Sequence, residues 1–223
     1  MADGCLLYYI TDRTQFPGDE WTRRRVLLAK VAEAARAGVD YIQLREKDLS
    51  SREFEQLARE AAHIIQELRT ENRELRTRLL INSRTDIAIA TGADGVHLRS
   101  DDIRAIEARG IWTQHGAGAT ARETPCIAVS CHSRADVDRA QSQGADFAVF
   151  APVFEKKDQP VVPPAGLAAL REACQARIPI FALGGVTLDN ADSCMKAGAA
   201  GIAAIRLFQE NRIEVIVRVL RAF

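Results

Sequence analysis

The stretch AGVDYIQL at residues 37–44 recurs three times, as TGADGVHL at 91–98, QGADFAVF at 143–150 and AGAAGIAA at 197–204. The second residue of each phrase is a glycine, and these glycines stand 54, 52 and 54 residues apart. Each phrase follows an alanine-rich amphipathic segment, so its glycine can end a helix in the left-handed conformation, and the apolar run after it predicts a buried strand. One period holds two βα units of roughly 25–30 residues. Four periods therefore predict a single (β/α)8 TIM barrel.

Length and composition suit such a barrel and exclude several classes of protein. The 223 residues leave few insertions, so we expect one barrel domain over 1–223. Thirty basic and thirty acidic residues are interspersed. That pattern argues against nucleic acid or an anionic membrane as partner, because both require a concentrated basic surface. No apolar run approaches the roughly 18 residues of a membrane span. The start MADG lacks the basic segment of a signal peptide, so we expect a cytoplasmic protein.

The predicted elements alternate along the chain. Apolar runs predict strands at 5–12, 41–46, 78–83, 95–100, 126–132, 147–154, 179–185 and 201–208. Ser50 or Ser51 is expected to begin a long second helix, and Asp101 or Asp102 to begin a helix over 103–109. Residues 110–125 are expected to form an extended loop, and the proline-rich stretch 155–164 a loop over the barrel mouth. The five cysteines lack metal-type spacing, which predicts buried, reduced thiols.

Polar residues collect where the predicted strands end, which is where this fold carries its active sites. Two glycines follow strand seven, and their backbone N–H groups can approach a phosphate closely. The whole group forms an anion-binding set with one titratable base, a histidine. Its members are Gln43, Arg45, Lys47, Asn82, Asp101, Asp102, Ser130, His132, Lys156, Lys157, Gly184, Gly185 and Arg206.

A purely structural interpretation exists for several of these residues. Arg45 and Lys47 can form rim ion pairs with the acidic residues beside them, and the glycine pair can be only a turn. Asp102 suits a helix N-cap as well as a ligand site. His132 can be a structural histidine, and His97, among apolar neighbours, is expected in the core or in a supporting role.

Five segments carry a resemblance to a known family: YIQLREKDLS, LLINSRTDIAIATGADGVHL, VSCHS, FAPVFEKK and IPIFALGGVTLDNA. In this order they resemble the thiamine phosphate synthase/TenI family over nearly the whole chain. The resemblance implies one of two chemistries. The synthases join hydroxymethylpyrimidine diphosphate to a thiazole phosphate, with Mg²⁺ helping the diphosphate to leave. TenI-type proteins aromatise a carboxylated thiazole phosphate by moving a proton with a histidine on strand five.

The resemblance also implies roles for individual residues. Gln43, Arg45 and Lys47 match the segment of the synthases that binds the pyrimidine and the diphosphate, and Asn82 matches their strand-three asparagine. Asp102 matches one magnesium ligand. Two further positions match groups that bind phosphates. Ser130 matches a serine that contacts the diphosphate, and Gly185 matches part of the thiazole-phosphate site.

Departures from the synthase pattern fall mostly at the diphosphate end. Asn82 is followed by Ser83 where synthases have aspartate, so the second magnesium carboxylate is missing. Arg99 and Ser100 replace a Gly-Gln pair, EKKD at 155–158 replaces a T-x-T-K loop, and Arg206 replaces a serine. Because Mg²⁺ prefers carboxylate oxygens, the replacement of aspartate by Ser83 should weaken metal binding. Two lysines and an arginine can still bind phosphate as fixed charges.

These residues lead to an expected function with two alternatives. Proton transfer needs a base and a phosphate anchor but no metal, so we expect a TenI-type thiazole tautomerase with His132 and Ser130 as its catalytic residues, His132 being the base. The first alternative is thiamine phosphate synthase, which alone would call for Mg²⁺ at Asp102. The second is a non-catalytic ligand-binding regulator. The expected partner is a small phosphorylated heterocycle, a thiazole phosphate with or without a pyrimidine diphosphate, and a homo-oligomer is left open.

Overall fold

Eight parallel strands close into a barrel in which each strand pairs with its neighbours in chain order, β8 returning to β1. The computed structural model describes residues 4–115, 124–155 and 163–223. The prediction of a (β/α)8 barrel is confirmed. The strands are β1 Leu6–Ile10, β2 Tyr41–Leu44, β3 Arg78–Asn82, β4 Gly95–Leu98, β5 Cys126–Cys131, β6 Phe147–Phe150, β7 Ile180–Ala182 and β8 Gly201–Ala204.

Helices follow the strands and cover the outside of the barrel. The second helix begins as predicted, because Ser50 and Glu53 form a reciprocal capping box at its N-terminus. A 3-10 turn at Arg13–Gln15 precedes the first helix. The helices are α1 Glu20–Arg36, α2 Ser51–Glu71, α3 Thr85–Thr91, α4 Ala105–His115, α5 Arg134–Ser142, α6 Gly166–Ala173, α7 Leu188–Lys196, α8 Arg206–Gln209 and α9 Ile213–Leu220.

The four repeated glycines stand where the sequence pattern places them. Their φ angles lie between 69° and 101°, a region that side chains with a Cβ rarely adopt. Each of them precedes an even-numbered strand: Gly38 before β2, Gly92 before β4, Gly144 before β6 and Gly198 before β8. The prediction that the repeat marks the end of a helix and the start of a buried strand is therefore confirmed.

An aspartate two residues after three of these glycines links neighbouring strands at the N-terminal end of the barrel. Asp40 accepts the N–H of Leu7 at 2.7 Å, and Asp146 accepts the N–H of Ile127 at 2.7 Å. Asp94 accepts the N–H of Leu79 at 2.8 Å. Each carboxylate also pairs with an arginine, respectively Arg221, Arg109 and Arg69. In the fourth repeat the residue two positions after the glycine is Ala200, which has no carboxylate to make this contact.

The interior of the barrel changes from aromatic to polar along its axis. Tyr8, Tyr41, Phe147 and Phe181 pack with their ring centroids 4.7–5.8 Å apart. Above them, toward the C-terminal ends of the strands, inward-facing positions become amides, a histidine and a serine. The aromatic cluster fills the lower part of the barrel, so, within the described residues, the barrel interior can hold a ligand only at the mouth.

Two expectations for the region after β4 are wrong. The fourth helix runs to His115 instead of ending at residue 109, because Trp112 is fully buried and anchors the additional turns despite Gly110. Asp102 does not begin this helix; its carboxylate accepts the N–H of Arg99 at 2.7 Å. The remainder of the expected loop, 116–123, lies outside the described residues, as does 156–162.

In the described part of the chain, no helix is long and apolar enough to cross a membrane. All five cysteines are free thiols, and four of them are buried. Burial raises the pKa of each thiol, for example that of Cys131 to about 12, so they stay protonated and act as small apolar side chains.

Candidate active site

Gln43 and Asn82 lie at the mouth of the barrel, toward the C-terminal ends of the adjacent strands β2 and β3. Gln43 Nε2 donates to Asn82 Oδ1 at 2.8 Å, and Asn82 Nδ2 donates to Ser83 Oγ at 3.0 Å. The side chain of Gln43 is nearly buried, with only 2 % of the residue exposed. Its Oε1 accepts no hydrogen bond from any described residue, which leaves one oriented amide acceptor for a ligand.

Ser130 rests on a hydrogen-bonded chain that starts deep in the barrel. The hydroxyl of Tyr8 lies 2.8 Å from His97 Nδ1, and His97 Nε2 lies 2.8 Å from Ser130 Oγ. Tyr8 and His97 are buried, whereas Ser130 is half-buried at the top of β5. Burial lowers the pKa of His97 to about 3, with the charge of Arg45 as a second cause, so the ring is neutral near pH 7.

Arg45 presents a half-buried positive charge that forms no ion pair with any described residue, although the carboxylates of Asp12 and Glu46 lie near enough to oppose the effect of burial on its pKa. Its backbone N–H donates to Thr11, but its guanidinium makes no hydrogen bond or ion pair within the described ranges. Burial lowers the pKa of Arg45. A charge that has lost part of its hydration without gaining a partner is stabilised by an incoming anion.

Glu46 and Asp48 are the acidic neighbours for which the sequence allowed rim ion pairs. Among the described residues, Arg45 forms no ion pair with either of them. Arg13 binds both of them: its Nη1 lies 2.6 Å from Asp48 Oδ1 and 3.3 Å from Glu46 Oε2. Glu46 is buried, and this desolvation raises its pKa against the opposing hydrogen bonds from Thr11 and Arg13. Arg13 thereby takes up the acidic groups beside the mouth, and Lys47 is exposed at the same rim.

His132 is held in one tautomer at the rim. Its Nδ1 lies 2.7 Å from the carbonyl oxygen of Ala151, which can only accept, so Nδ1 carries the proton. In the neutral ring Nε2 then has a free lone pair. The backbone N–H of His132 donates to Asp136 at 3.0 Å, in the turn that begins α5. The residue is exposed, so its Nε2 can accept a proton from a ligand.

The two glycines after β7 form a close-fitting turn. Gly184 and Gly185 have φ angles of 97° and 66°. A Cβ on Gly185 would lie 2.5 Å from the carbonyl oxygen of Glu155, so no side chain fits there. Neither glycine N–H donates to another described residue, which leaves two backbone donors for a phosphate. Arg206 begins the short helix after β8, next to this turn in the barrel order.

Asp102 lies in a cleft at the side of the mouth. The cleft has a volume of about 190 Å³, and Asp102 and Ser130 both line it, together with Arg99 and Arg139. Arg99 engages Asp102 through its backbone N–H and through its guanidinium, 3.5 Å away. Within 4–115, 124–155 and 163–223, no group of three or more His, Cys, Asp or Glu side chains is arranged to hold a metal ion.

Most of the predicted site residues therefore lie around one mouth. Lys156 and Lys157 fall outside the described residues. Sequence reasoning missed two contributors, Tyr8 and Arg13. Neither had a usable signal: Tyr8 is one aromatic residue in an apolar strand, and Arg13 is one of many scattered arginines whose partners are 33 and 35 residues away.

The fold and these groups define a class of protein, a (β/α)8 barrel whose mouth carries amide, hydroxyl and cationic side chains. The sequence matches the family described as thiamine monophosphate synthase over residues 7–208. It is 37 % identical to the thiamine-phosphate synthase of Syntrophomonas wolfei over 220 residues, which cover 96 % of this chain and 94 % of the relative. Its identity with the thiamine-phosphate synthase of Methanoculleus marisnigri is also 37 %, over 96 % of this chain and 93 % of the relative.

A solved structure agrees with these relatives. The thiamine phosphate pyrophosphorylase of Pyrococcus furiosus superposes with a TM-score of 0.76 at 27 % identity, covering 99 % of this chain and 95 % of that one. The chain belongs to the thiamine phosphate synthase/TenI family and is an enzyme of thiamine biosynthesis. The comparisons favour the synthase over the tautomerase that the sequence departures led us to expect.

Proposed function

We propose that this protein is a thiamine phosphate synthase, which joins hydroxymethylpyrimidine diphosphate to a thiazole phosphate. The observation that carries the proposal is the half-buried guanidinium of Arg45, which makes no hydrogen bond or ion pair with any described residue and lies on the strand that also carries Gln43 of the amide pair Gln43–Asn82. An amide pair can hold the edge of a pyrimidine, and the adjacent positive charge can hold the diphosphate attached to it. The synthase relatives and the likeness to a solved pyrophosphorylase support the same reaction.

Each part of the mouth has a role in this reaction. Gln43 and Asn82 orient the pyrimidine, while Arg45, Lys47 and the hydroxyl of Ser130 bind the diphosphate. The N–H groups of Gly184 and Gly185, with Arg206, bind the thiazole phosphate on the opposite side. Lys156 and Lys157 belong to the sequence segment expected over the mouth, and we assign them to the same phosphates.

The reaction balances without an external base. The C–O bond between the pyrimidine methylene and the diphosphate breaks, and the electron pair leaves with the diphosphate. The lone pair of the thiazole nitrogen then forms the new C–N bond to the methylene cation. The protein holds the two partners in line and stabilises the negative charge that grows on the leaving group.

A resident magnesium ion does not fit the described residues well. Asp102 is the one matching carboxylate, and Arg99 already occupies it; the other matching position is Ser83, whose hydroxyl is a poor ligand. We therefore derive no step through a protein-bound metal. The positively charged side chains at the mouth neutralise the diphosphate. A magnesium ion would enter the site bound to this substrate, as its counter-ion.

One observation favours the tautomerase as a second candidate. His132 is fixed with Nδ1–H toward Ala151, so its Nε2 can act as a general base at the rim. In the synthase reaction this base has no task. The two candidates therefore make opposite demands on His132 and Arg45.

An assay of the purified protein with both sets of substrates tests the proposal. Arg45→Gln should lower kcat/KM for thiamine phosphate formation roughly 10- to 100-fold, the value of a charge-assisted hydrogen bond, and His132→Ala should leave it within about threefold. Arg84→Gln is the matched control, because this rim arginine already pairs with Asp86. Tautomerase activity that disappears in His132→Ala, without thiamine phosphate formation by the wild type, would replace the synthase proposal. Binding of both substrates with no turnover would indicate a regulator.

A further inference from the structure

Tyr8, His97 and Ser130 form a continuous hydrogen-bonded chain from the aromatic floor of the barrel to its mouth. Both links measure 2.8 Å. Ser130 is the only member that reaches the mouth, since Tyr8 and His97 are buried. A hydroxyl can either donate to or accept from a ligand, so the direction of the hydrogen bonds in this chain determines what Ser130 offers.

The direction follows from the surroundings of Tyr8. Its hydroxyl is a donor that needs an acceptor when it is buried, and among the described residues its one hydrogen-bond partner is His97 Nδ1. Tyr8 therefore donates to Nδ1, and Nδ1 carries no proton. A neutral imidazole then carries its proton on Nε2, which donates to Ser130 Oγ.

We infer that Tyr8 and His97 are positioning residues that fix Ser130 as a hydrogen-bond donor toward an anionic oxygen at the mouth. Because Oγ already accepts from His97, its own proton points away from the ring. The nearby charge of Arg45 acts on the same region, as its effect on His97 shows. On this inference Ser130 adds a neutral donor to the positive charge that Arg45 brings to the mouth. The identification of that anion as the diphosphate of the substrate rests on the proposed function. The direction of the hydrogen bonds from Tyr8 to Ser130 does not depend on it.

The direction can be measured without any substrate. Long-range ¹⁵N–¹H correlation spectra of histidine-labelled protein distinguish the tautomers of His97, and His97→Asn identifies its signals. We expect the neutral Nε2–H form throughout pH 6–8. Observation of the Nδ1–H form or of imidazolium in this range would overturn the inference, whatever reaction the protein catalyses.

A double-mutant cycle tests whether His97 acts through Ser130. The probe is inorganic diphosphate, titrated calorimetrically into wild type, Ser130→Ala, His97→Asn and the double variant. Each single variant should bind roughly 10- to 100-fold more weakly, and His97→Asn should add less than about twofold once Ser130 is alanine. Fully additive losses would overturn the inference. His63→Asn, on the exposed face of α2, should bind like wild type.

Folding and function are separated from these results by two further measurements. Circular dichroism and thermal unfolding show whether His97→Asn is folded at the temperature of the titration. His97→Gln, which can place an amide N–H toward Ser130, should recover at least part of the lost affinity; no recovery in a folded variant counts against the inference. If the cycle is non-additive but no thiamine phosphate forms, the inference stands and the proposed function fails.

Discussion

Asp102 has two competing uses at the scale of single residues. The resemblance gives it to a metal ion, whereas the structure gives it to Arg99, through a 2.7 Å hydrogen bond from the backbone and a 3.5 Å contact with the guanidinium. Arg99 is half exposed, and ion pairs of that kind contribute only about 0.2–1 kcal/mol. The change Arg99→Gln should therefore strengthen Mg²⁺ binding to the empty protein roughly two- to fivefold, as measured by calorimetric titration.

Arg104→Gln is the control for this experiment. Arg104 lines the same cleft but pairs with Glu107 at 2.6 Å, so its removal changes the local charge by the same amount and leaves the Arg99 guanidinium in place beside Asp101 and Asp102. Equal effects of the two substitutions would show that general electrostatics, and not the pairing of Arg99 with Asp102, limits metal binding.

Ser83 offers a second way to restore a metal site. Its φ angle is 59°, and among described residues other than glycine it is alone in having a positive φ. Asp and Asn adopt this left-handed region more readily than Ser, and synthases carry Asp at the matching position. Ser83→Asp should thus fold at least as stably as wild type and bind Mg²⁺ on the order of tenfold more tightly, because it adds a carboxylate.

Ser83→Asn separates the two effects of this change. It keeps the backbone preference of Asp but adds no charge, so it should match Ser83→Asp in thermal stability and match wild type in calorimetric Mg²⁺ affinity. If Ser83→Asp gained no affinity over Ser83→Asn, the carboxylate at this position would not face the metal site.

The positions of the site residues were predictable from the sequence only where a strand end placed them; their roles remain predictions. Gln43, Asn82 and Ser130 could be grouped because parallel strands bring their C-terminal ends to one mouth. The state of His97 could not, since it depends on Tyr8, 89 residues away. The environment of Arg45 could not be predicted either: among the described residues, Glu46 and Asp48 pair with Arg13, which lies 33 and 35 residues away along the sequence.

At the scale of elements, three of the four repeated phrases contain an aspartate that links neighbouring strands, as well as the glycine that ends a helix. Asp94 bonds the N–H of Leu79 at 2.8 Å and pairs with Arg69 at 2.5 Å, with only 3 % of its side chain exposed. Removing one member of a buried pair costs about 3–5 kcal/mol. Asp94→Ala should lower the free energy of unfolding by about this amount in urea titrations. Activity at low temperature should persist, because Asp94 lies at the end of the barrel opposite the mouth.

Asp146 provides a matched comparison from the same chain. It makes the equivalent contacts with Ile127 and Arg109, but 43 % of its side chain is exposed. Water can replace much of what it contributes, so Asp146→Ala should cost about 1–2 kcal/mol. Equal losses in the two variants would mean that burial does not control the strength of this contact.

The elements themselves were largely predictable, because glycine and apolar runs act locally. The four glycines mark helix ends through their own backbone preference, which needs no tertiary contact. The failure at α4 has the opposite cause. Gly110 lowers local helix propensity by about 1 kcal/mol, but the burial of Trp112 outweighs it, and that burial depends on neighbouring elements that a local pattern does not show.

For the molecule as a whole, the change from an aromatic floor to a polar mouth makes stability depend on pH through His97. Burial lowers the pKa of this residue from 6.5 to about 3 in the folded protein. Below pH 6.5 the unfolded chain therefore binds a proton that the folded protein does not. The contribution of His97 is complete above about pH 6.5 and is lost as the pH falls toward 3, with a slope of about 1.4 kcal/mol per pH unit.

Urea unfolding of wild type and His97→Asn between pH 7 and pH 5 isolates this proton. Carboxylates titrate mainly below this range and do so in both proteins, so they cancel in the difference. The stability of wild type should fall on acidification more steeply than that of His97→Asn, by about one proton's slope. Parallel curves for wild type and His97→Asn would mean that the proton on His97 does not distinguish the folded barrel from the unfolded chain.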